Sequence, residues 1–331
     1  MQLNWLNAHY DALQGFGYHG LQMLRALQRR DVKVKPLSME ACEWPGWLQR
    51  QAGMDFGGIT IIQAKPPVWP DIPGRIWGFS MYEATALPPS WARIVNARAE
   101  RMLVPSEWLV GVFRDNGIHV PIHVIPEGID PASFPAFRRV PNGNPYNFLT
   151  FAGRGLRKGW DLAWWAFYEE FQNDEAVTLT VKGRRHDLAH LSQARSDSRV
   201  RLWREDSAVM ADVYATADCF VFPTRGEGWG LPGREAAATG CPVIVTDWGG
   251  TADGLPHYGI PLNANLAPSW MEAGGQWAEP DVDHLRQLMR WCFENRDEAA
   301  DRGMQAAEWL RANQTWDHAV DALMDLLEHY A

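Results

Sequence analysis

Nowhere in this 331-residue chain do apolar residues run on for the roughly eighteen positions that a membrane helix needs, and Met1-Gln-Leu-Asn-Trp-Leu6 has no basic stretch ahead of an apolar one. A membrane span and a secretory leader are therefore not expected, and the sequence reads as cytoplasmic. Cysteine is scarce. Cys42, Cys219, Cys241 and Cys292 lie far apart with no CxxC pair, which argues against structural zinc or a disulfide framework and for buried free thiols. Positive charge is also short, with a net formal charge of -9. Residues 1–140 hold 14 Lys and Arg against 12 Asp and Glu, and the remainder 17 against 28. Nonspecific nucleic-acid binding is disfavoured by that balance. The one basic patch, Arg25, Arg29, Arg30, Lys33 and Lys35, reads as a solvated helix face and the turn after it. Internal repeats and low-complexity tracts are absent, so solenoids and disordered arrays are excluded.

What remains is an ordinary globular composition, 46% hydrophobic and 21% charged, on a chain long enough for two domains. Its 18 tryptophans, among them Trp69, Trp77, Trp91, Trp229 and Trp248, suit either core packing or a sugar-binding face. Short β-rich runs alternate with helical patterns, the signature of parallel sheets with crossover helices. Strands are expected near Leu3, Val32, Ile59, Arg75, Arg101 and Ile122, then near Asn147, Val177, Val200, Cys219, Pro242 and Gly259. Between the two sets, Pro131 to Pro145 reads as a linker, and residues 281–329 read as helical. The expected fold is α/β, with two doubly wound halves, a helical tail and a cleft at the carboxyl ends of the strands.

Three segments can carry chemistry. Gln14-Gly-Phe-Gly-Tyr-His-Gly20 follows the first strand and opens a helix, so it serves either as a structural turn or as a close approach to phosphate. Phe151-Ala-Gly-Arg-Gly-Leu-Arg-Lys-Gly159 places Arg154, Arg157 and Lys158 on a glycine-containing loop ahead of a helix. Such a cluster calls for an anion, and a diphosphate fits. Phe222-Pro-Thr-Arg-Gly-Glu-Gly-Trp-Gly-Leu-Pro-Gly-Arg-Glu235 runs from a strand through a glycine-rich loop into a helix. Glu227, flanked by Gly226 and Gly228, is presented to a ligand, while Glu235 lies in the first turns of the helix. Two such carboxylates would also suit a glycosidase. The cationic loop favours a phosphorylated donor instead.

Over most of its length the sequence resembles the family 4 retaining glycosyltransferases, through Glu227 and Glu235 in an E-x7-E pattern, Gly153-Arg154 with Lys158-Gly159, and Pro126-Glu-Gly-Ile-Asp130. Similar to that family, too, are Gly15 to Gly20, Trp277-Ala-Glu-Pro-Asp-Val-Asp and Thr315-Trp316. The resemblance implies a GT-B architecture of two facing Rossmann-like domains: residues 1–140 on the acceptor side, 141–310 on the donor side, and a terminal helix, 311–331, packing back on the first domain. It implies transfer of a hexose from a UDP- or GDP-sugar, with retention and without a metal or other cofactor. Glu227, Arg154 and Lys158 would be the catalytic groups. Gly17, Gly153, Arg157, Gly228, Trp229, Gly230, Leu231 and Glu235 would join them around the donor, with Glu227 on the sugar and Glu235 on the ribose. The loop between Arg154 and Lys158 holds three residues, shorter than in many relatives, which brings in Arg157 as an alternative phosphate ligand. Ser80 and Glu83 are the acceptor-side candidates, and Ser106 is expected to cap a helix. The acceptor would be a glycan, lipid or small molecule, with a hydroxymethylated DNA base less favoured; a nucleotide-sugar-binding protein without activity is a further alternative.

Overall fold

The computed structural model of the protein describes residues 3–8, 10, 15–39, 57–140, 144–153, 155–184, 197–204 and 209–330. The chain forms two compact units: Met1–Gly128 with Trp270–Gly275 and Gln314–Ala331, and Ile129–Ser269 with Gln276–Asn313.

The first unit is built on six parallel strands, β1 (Leu3–Asn7), β2 (Val34–Ser38), β3 (Ile59–Gln63), β4 (Arg75–Phe79), β5 (Arg101–Val104) and β6 (Ile122–Val124). They lie in the order β2-β1-β3-β4-β5-β6. Every residue of β1 and of β3 is buried, as expected of parallel strands covered on both faces. Helix α1 (Gly15–Arg29) buries Leu21, Met23, Leu24 and Leu27. With α2 (Pro89–Arg98) and α3 (Glu107–Asp115), the sheet encloses a core that includes Trp69, Trp91, Phe113 and Met102. Trp69, Trp77 and Trp91 thus fill the interior.

The second unit carries β7 (Tyr146–Phe151), β8 (Val177–Lys182), β9 (Val200–Trp203), β10 (Cys219–Phe222), β11 (Val243–Thr246) and β12 (Ile260–Leu262), again parallel, in the order β12-β11-β10-β7-β8-β9. Helices α4 (Trp160–Glu170), α5 (Met210–Ala215), α6 (Leu231–Ala238), α7 (Val282–Glu294) and α8 (Arg296–Asn313) belong to this unit. The helix α7 starts at a true cap, Asp281 accepting from the His284 amide. Ile129 and Phe134 are buried in this unit's core, and the guanidinium of Arg139 bonds the Tyr214 carbonyl at 3.0 Å and Thr239 Oγ1 at 2.9 Å. The proline-rich stretch is therefore packed against the second unit. Cys219, Cys241 and Cys292 are buried free thiols, while Cys42 lies outside the described residues.

Two elements complete the picture. An antiparallel hairpin, β13 (Ala264–Pro268) and β14 (Gln276–Pro280), was not expected from the sequence. Its loop, Trp270–Gly275, belongs to the first unit, where Met271 joins the core and Gly275 lies against Ala86. The last helix, α9 (Trp316–Tyr330), also belongs there and packs along α1. Arg29 pairs with Asp317 at 2.9 Å and Arg30 with Asp321 at 2.7 Å, so part of the basic patch is a helix-to-helix seam. Among the described residues no helix is long and apolar enough to cross a membrane.

Candidate active site

In an open parallel sheet, ligands bind beyond the carboxyl ends of the strands where the strand order reverses. In the second unit this reversal falls between β7 and β10, which are neighbours in the sheet. Their outgoing loops are the two segments singled out in the sequence, the glycine-containing basic loop and Thr224–Gly230. The loops are locked together by backbone. The amide of Arg225 donates to the Arg157 carbonyl at 2.7 Å. Gly159, at φ +72°, lies so close to Pro223 that a β-carbon there would sit 1.8 Å from the Pro223 carbonyl oxygen. Only glycine satisfies both demands, and α4 begins at the next residue.

This contact brings Glu227 onto the basic loop. Its Oε1 accepts from Arg157 Nη1 at 2.8 Å, from Lys158 Nζ at 2.6 Å and from Thr224 Oγ1 at 3.3 Å. The Arg157, Lys158 and Glu227 side chains retain only 10%, 15% and 10% of their exposure. Burial alone would raise the Glu227 carboxyl, but the two cations outweigh it and hold the group below its usual range. The negative partner that the basic loop calls for is thus supplied from within the chain. Arg154 lies outside the described residues.

A second arginine organises the same loops. Arg225, 4% exposed at its side chain, bonds Asp161 through both terminal nitrogens at 2.9 Å, Glu279 at 2.9 Å, and the Leu156 carbonyl at 2.6 Å. Burial works against its charge, and the two carboxylates more than restore it. One side chain therefore joins the basic loop, the first turn of α4 and strand β14, whose Ala278 amide also donates to the Arg225 carbonyl at 2.8 Å. Fully buried Arg234 does the same for the glycines. It stacks 3.7 Å from the Trp229 ring and donates to the carbonyls of Trp229, Gly250 and Asp253. Gly250 rests on Gly228, and its amide donates to the Glu227 carbonyl at 2.9 Å. Neither arginine stood out in the sequence, because Asp161 and Glu279 lie 64 and 54 residues from Arg225, and Gly250 and Asp253 lie 16 and 19 from Arg234.

The remaining candidates fall in several places. Gly153 follows β7, and Gly230, at φ +93°, caps α6, whose first residue is Leu231. Glu235 accepts from the Tyr214 hydroxyl at 3.0 Å. Trp229 is 3% exposed and engaged by Arg234. Gly17 is buried in the first turn of α1. In the first unit, Ser80 follows β4 and is fully buried, its hydroxyl without a partner, and Glu83 lies three residues further on, half-buried. Ser106 occupies the cap position of α3, yet its hydroxyl makes no capping bond, so the helix is not secured as the sequence suggested. Two segments quoted for the family resemblance meet through His19 Nδ1 and Glu127 Oε1, 2.8 Å apart and buried.

A family described as Family 4 Glycosyltransferase in conflict systems matches residues 106–323. A GDP-mannose-dependent alpha-mannosyltransferase of Mycobacterium tuberculosis is 27% identical over 251 residues, 73% of this chain and 62% of that protein. A D-inositol 3-phosphate glycosyltransferase of Gordonia bronchialis is 28% identical over 141 residues, 42% of this chain and 27% of that protein. The chain thus spans less than two thirds of the length of either relative. Among solved structures, HepE of Anabaena in complex with UDP-glucose superposes with a TM-score of 0.75 at 12% identity, over 99% of this chain and 100% of that one. Sucrose-phosphate synthase of Thermosynechococcus elongatus gives 0.73 at 15% identity, with 99% of each chain covered. At these identities the likeness is one of fold, and the fold is GT-B. The chain belongs to the family 4 glycosyltransferases in conflict systems.

Proposed function

We propose that this protein transfers a hexose from a nucleoside-diphosphate sugar to an acceptor hydroxyl, with retention of anomeric configuration and without a metal. The observation that carries this reading is the meeting of Arg157, Lys158 and Glu227 at the strand-order reversal of the second sheet. Two cations on the loop entering α4 suit a diphosphate, whose growing charge on departure they would stabilise in place of a metal ion. Arg154, in the same loop, is assigned to the diphosphate with them. The Glu227 carboxylate is assigned to the hydroxyls of the transferred sugar, and Glu235 to the ribose. Ser80 and Glu83 are assigned to the acceptor side. The acceptor hydroxyl would attack the anomeric carbon on the face the nucleotide leaves, with no covalent enzyme intermediate. UDP and GDP are the donor bases put forward, the first by the ligand named for HepE, the second by the donor named for the mycobacterial relative.

The test is a thermal-shift panel of UDP-, GDP- and ADP-sugars, since a ligand that binds only the native state raises its melting temperature. One base should stabilise the wild type, and Lys158→Ala should abolish the shift. Glu227→Ala should lower turnover on the order of a hundredfold. A flat response across the whole panel would remove the donor assignment.

A further inference from the structure

The contacts around Glu227 raise a difficulty for the role just assigned to it. A carboxylate that is to meet sugar hydroxyls is engaged through Oε1 by the two cations assigned to the diphosphate. Arg157 and Lys158 are themselves nearly buried, and a buried cation left without a counter-charge is strongly unfavourable. The internal pair therefore keeps the site folded and charged before any ligand arrives. Glu227 brings one negative charge to these cations, however, whereas a diphosphate brings two or three. The incoming group is the better partner, and the side-chain contacts from Arg157, Lys158 and Thr224 converge on the one Glu227 oxygen that it would have to displace.

We propose that Glu227 is a resident counter-ion of Arg157 and Lys158, displaced by the donor's diphosphate and thereby delivered to the sugar. The idea rests on the donor reading above and adds an order of events to it. In the structure the carboxylate is sequestered by the cations. When the diphosphate takes them over, the carboxylate loses its partners and is free to accept from the hexose hydroxyls beside it. Diphosphate binding and exposure of the carboxylate are then a single exchange, which couples donor occupancy to completion of the site. Thr224, whose single hydroxyl proton can go either to Glu227 Oε1 or to the Arg157 carbonyl, stands beside the carboxylate as it exchanges partners.

Competition of this kind has a measurable consequence that a purely sugar-binding glutamate would not produce. Inorganic pyrophosphate carries no sugar and no base, so its affinity reads the cations alone. Titration calorimetry of pyrophosphate and of UDP and GDP into the full chain should show Glu227→Gln binding pyrophosphate more tightly than wild type, on the order of tenfold, because the competing charge has been removed. Glu227→Asp, which keeps the charge on a shorter stem, should fall between the two, and it supplies the comparison if the Gln variant does not fold. Pyrophosphate binding that is unchanged or weaker in the variant measured overturns the counter-ion role while leaving the donor site standing, provided the wild type binds a nucleoside diphosphate. If the wild type binds neither pyrophosphate nor UDP nor GDP, the donor reading and this inference fall together.

Discussion

Glu227 shows how far a single residue was readable from its neighbours in sequence. Two flanking glycines marked it as presented to a ligand, and the basic loop, some seventy residues earlier, was read as waiting for a phosphate. What the local pattern could not contain is the adjacency of β7 and β10, which follows from strand order and places these loops side by side. The pairing has a pH signature. Because the carboxyl is held below its ordinary value near 4.5, its ion pair stabilises the native state fully above that value and is lost as pH falls through the lowered one. Chemical denaturation of wild type and Glu227→Gln should therefore show a gap in favour of the wild type at neutral pH that closes in acid. A gap independent of pH would mean the side chain contributes by packing rather than by charge.

At the scale of elements, the parallel strands were legible because strands buried on both faces read as short, nearly continuous apolar runs; each begins within two residues of the expected position. The hairpin escaped notice for the opposite reason. Ala-Asn-Leu-Ala-Pro in β13 is partly to fully exposed along its length, and Pro268 closes it, so neither alternation nor an apolar run announces a strand. Yet β14 supplies Glu279 to Arg225, and so the hairpin is part of what fixes the loops after β7 and β10. Arg225→Met would leave Asp161 and the Leu156 carbonyl without their buried donor. Breaking such a pair costs about 3 kcal/mol here, the lower end of the usual range, because Glu279 is 41% exposed and screened by solvent. Urea unfolding should show that loss, together with weaker diphosphate binding, since the 3-10 turn Gly155–Lys158 loses its tie to α4. Full stability with normal binding would show that the backbone bonds between the loops suffice.

On the scale of the whole molecule, the doubly wound architecture followed from the alternation of strands and helices, and the loops after β7 and β10 meet where the strand order reverses. The terminal helix was expected to pack back on the first domain and does, but the return of residues 270–275 to that unit and its boundary at 128 rather than 140 were not legible, because they depend on contacts between residues far apart in the chain. The first unit takes residues 270–275 and 314–331 in addition to 1–128. Helix α9 fills a seam along α1, with Trp316 1% exposed against His19 and Tyr18, and Gly128 meets the backbone of Thr315 and Trp316 too closely for any side chain. A fragment ending at residue 128 should consequently expose the apolar face of α1, bind a hydrophobic dye and melt without a cooperative transition, whereas residues 129–313 should melt cooperatively. A sharp transition in the shorter fragment would show that α9 is an accessory.

That discontinuity bears on how the protein is made. A ribosome releases the chain from its first residue onward, so β1 to β6 emerge early yet must wait for residues 314–330 before α1 is covered. During that interval the strands and helices of the second unit, which ends at Asn313, emerge in turn. Of the two units, the one that emerges earlier is thus completed later, and the apolar face of α1 is the surface a chaperone would meet on the nascent chain.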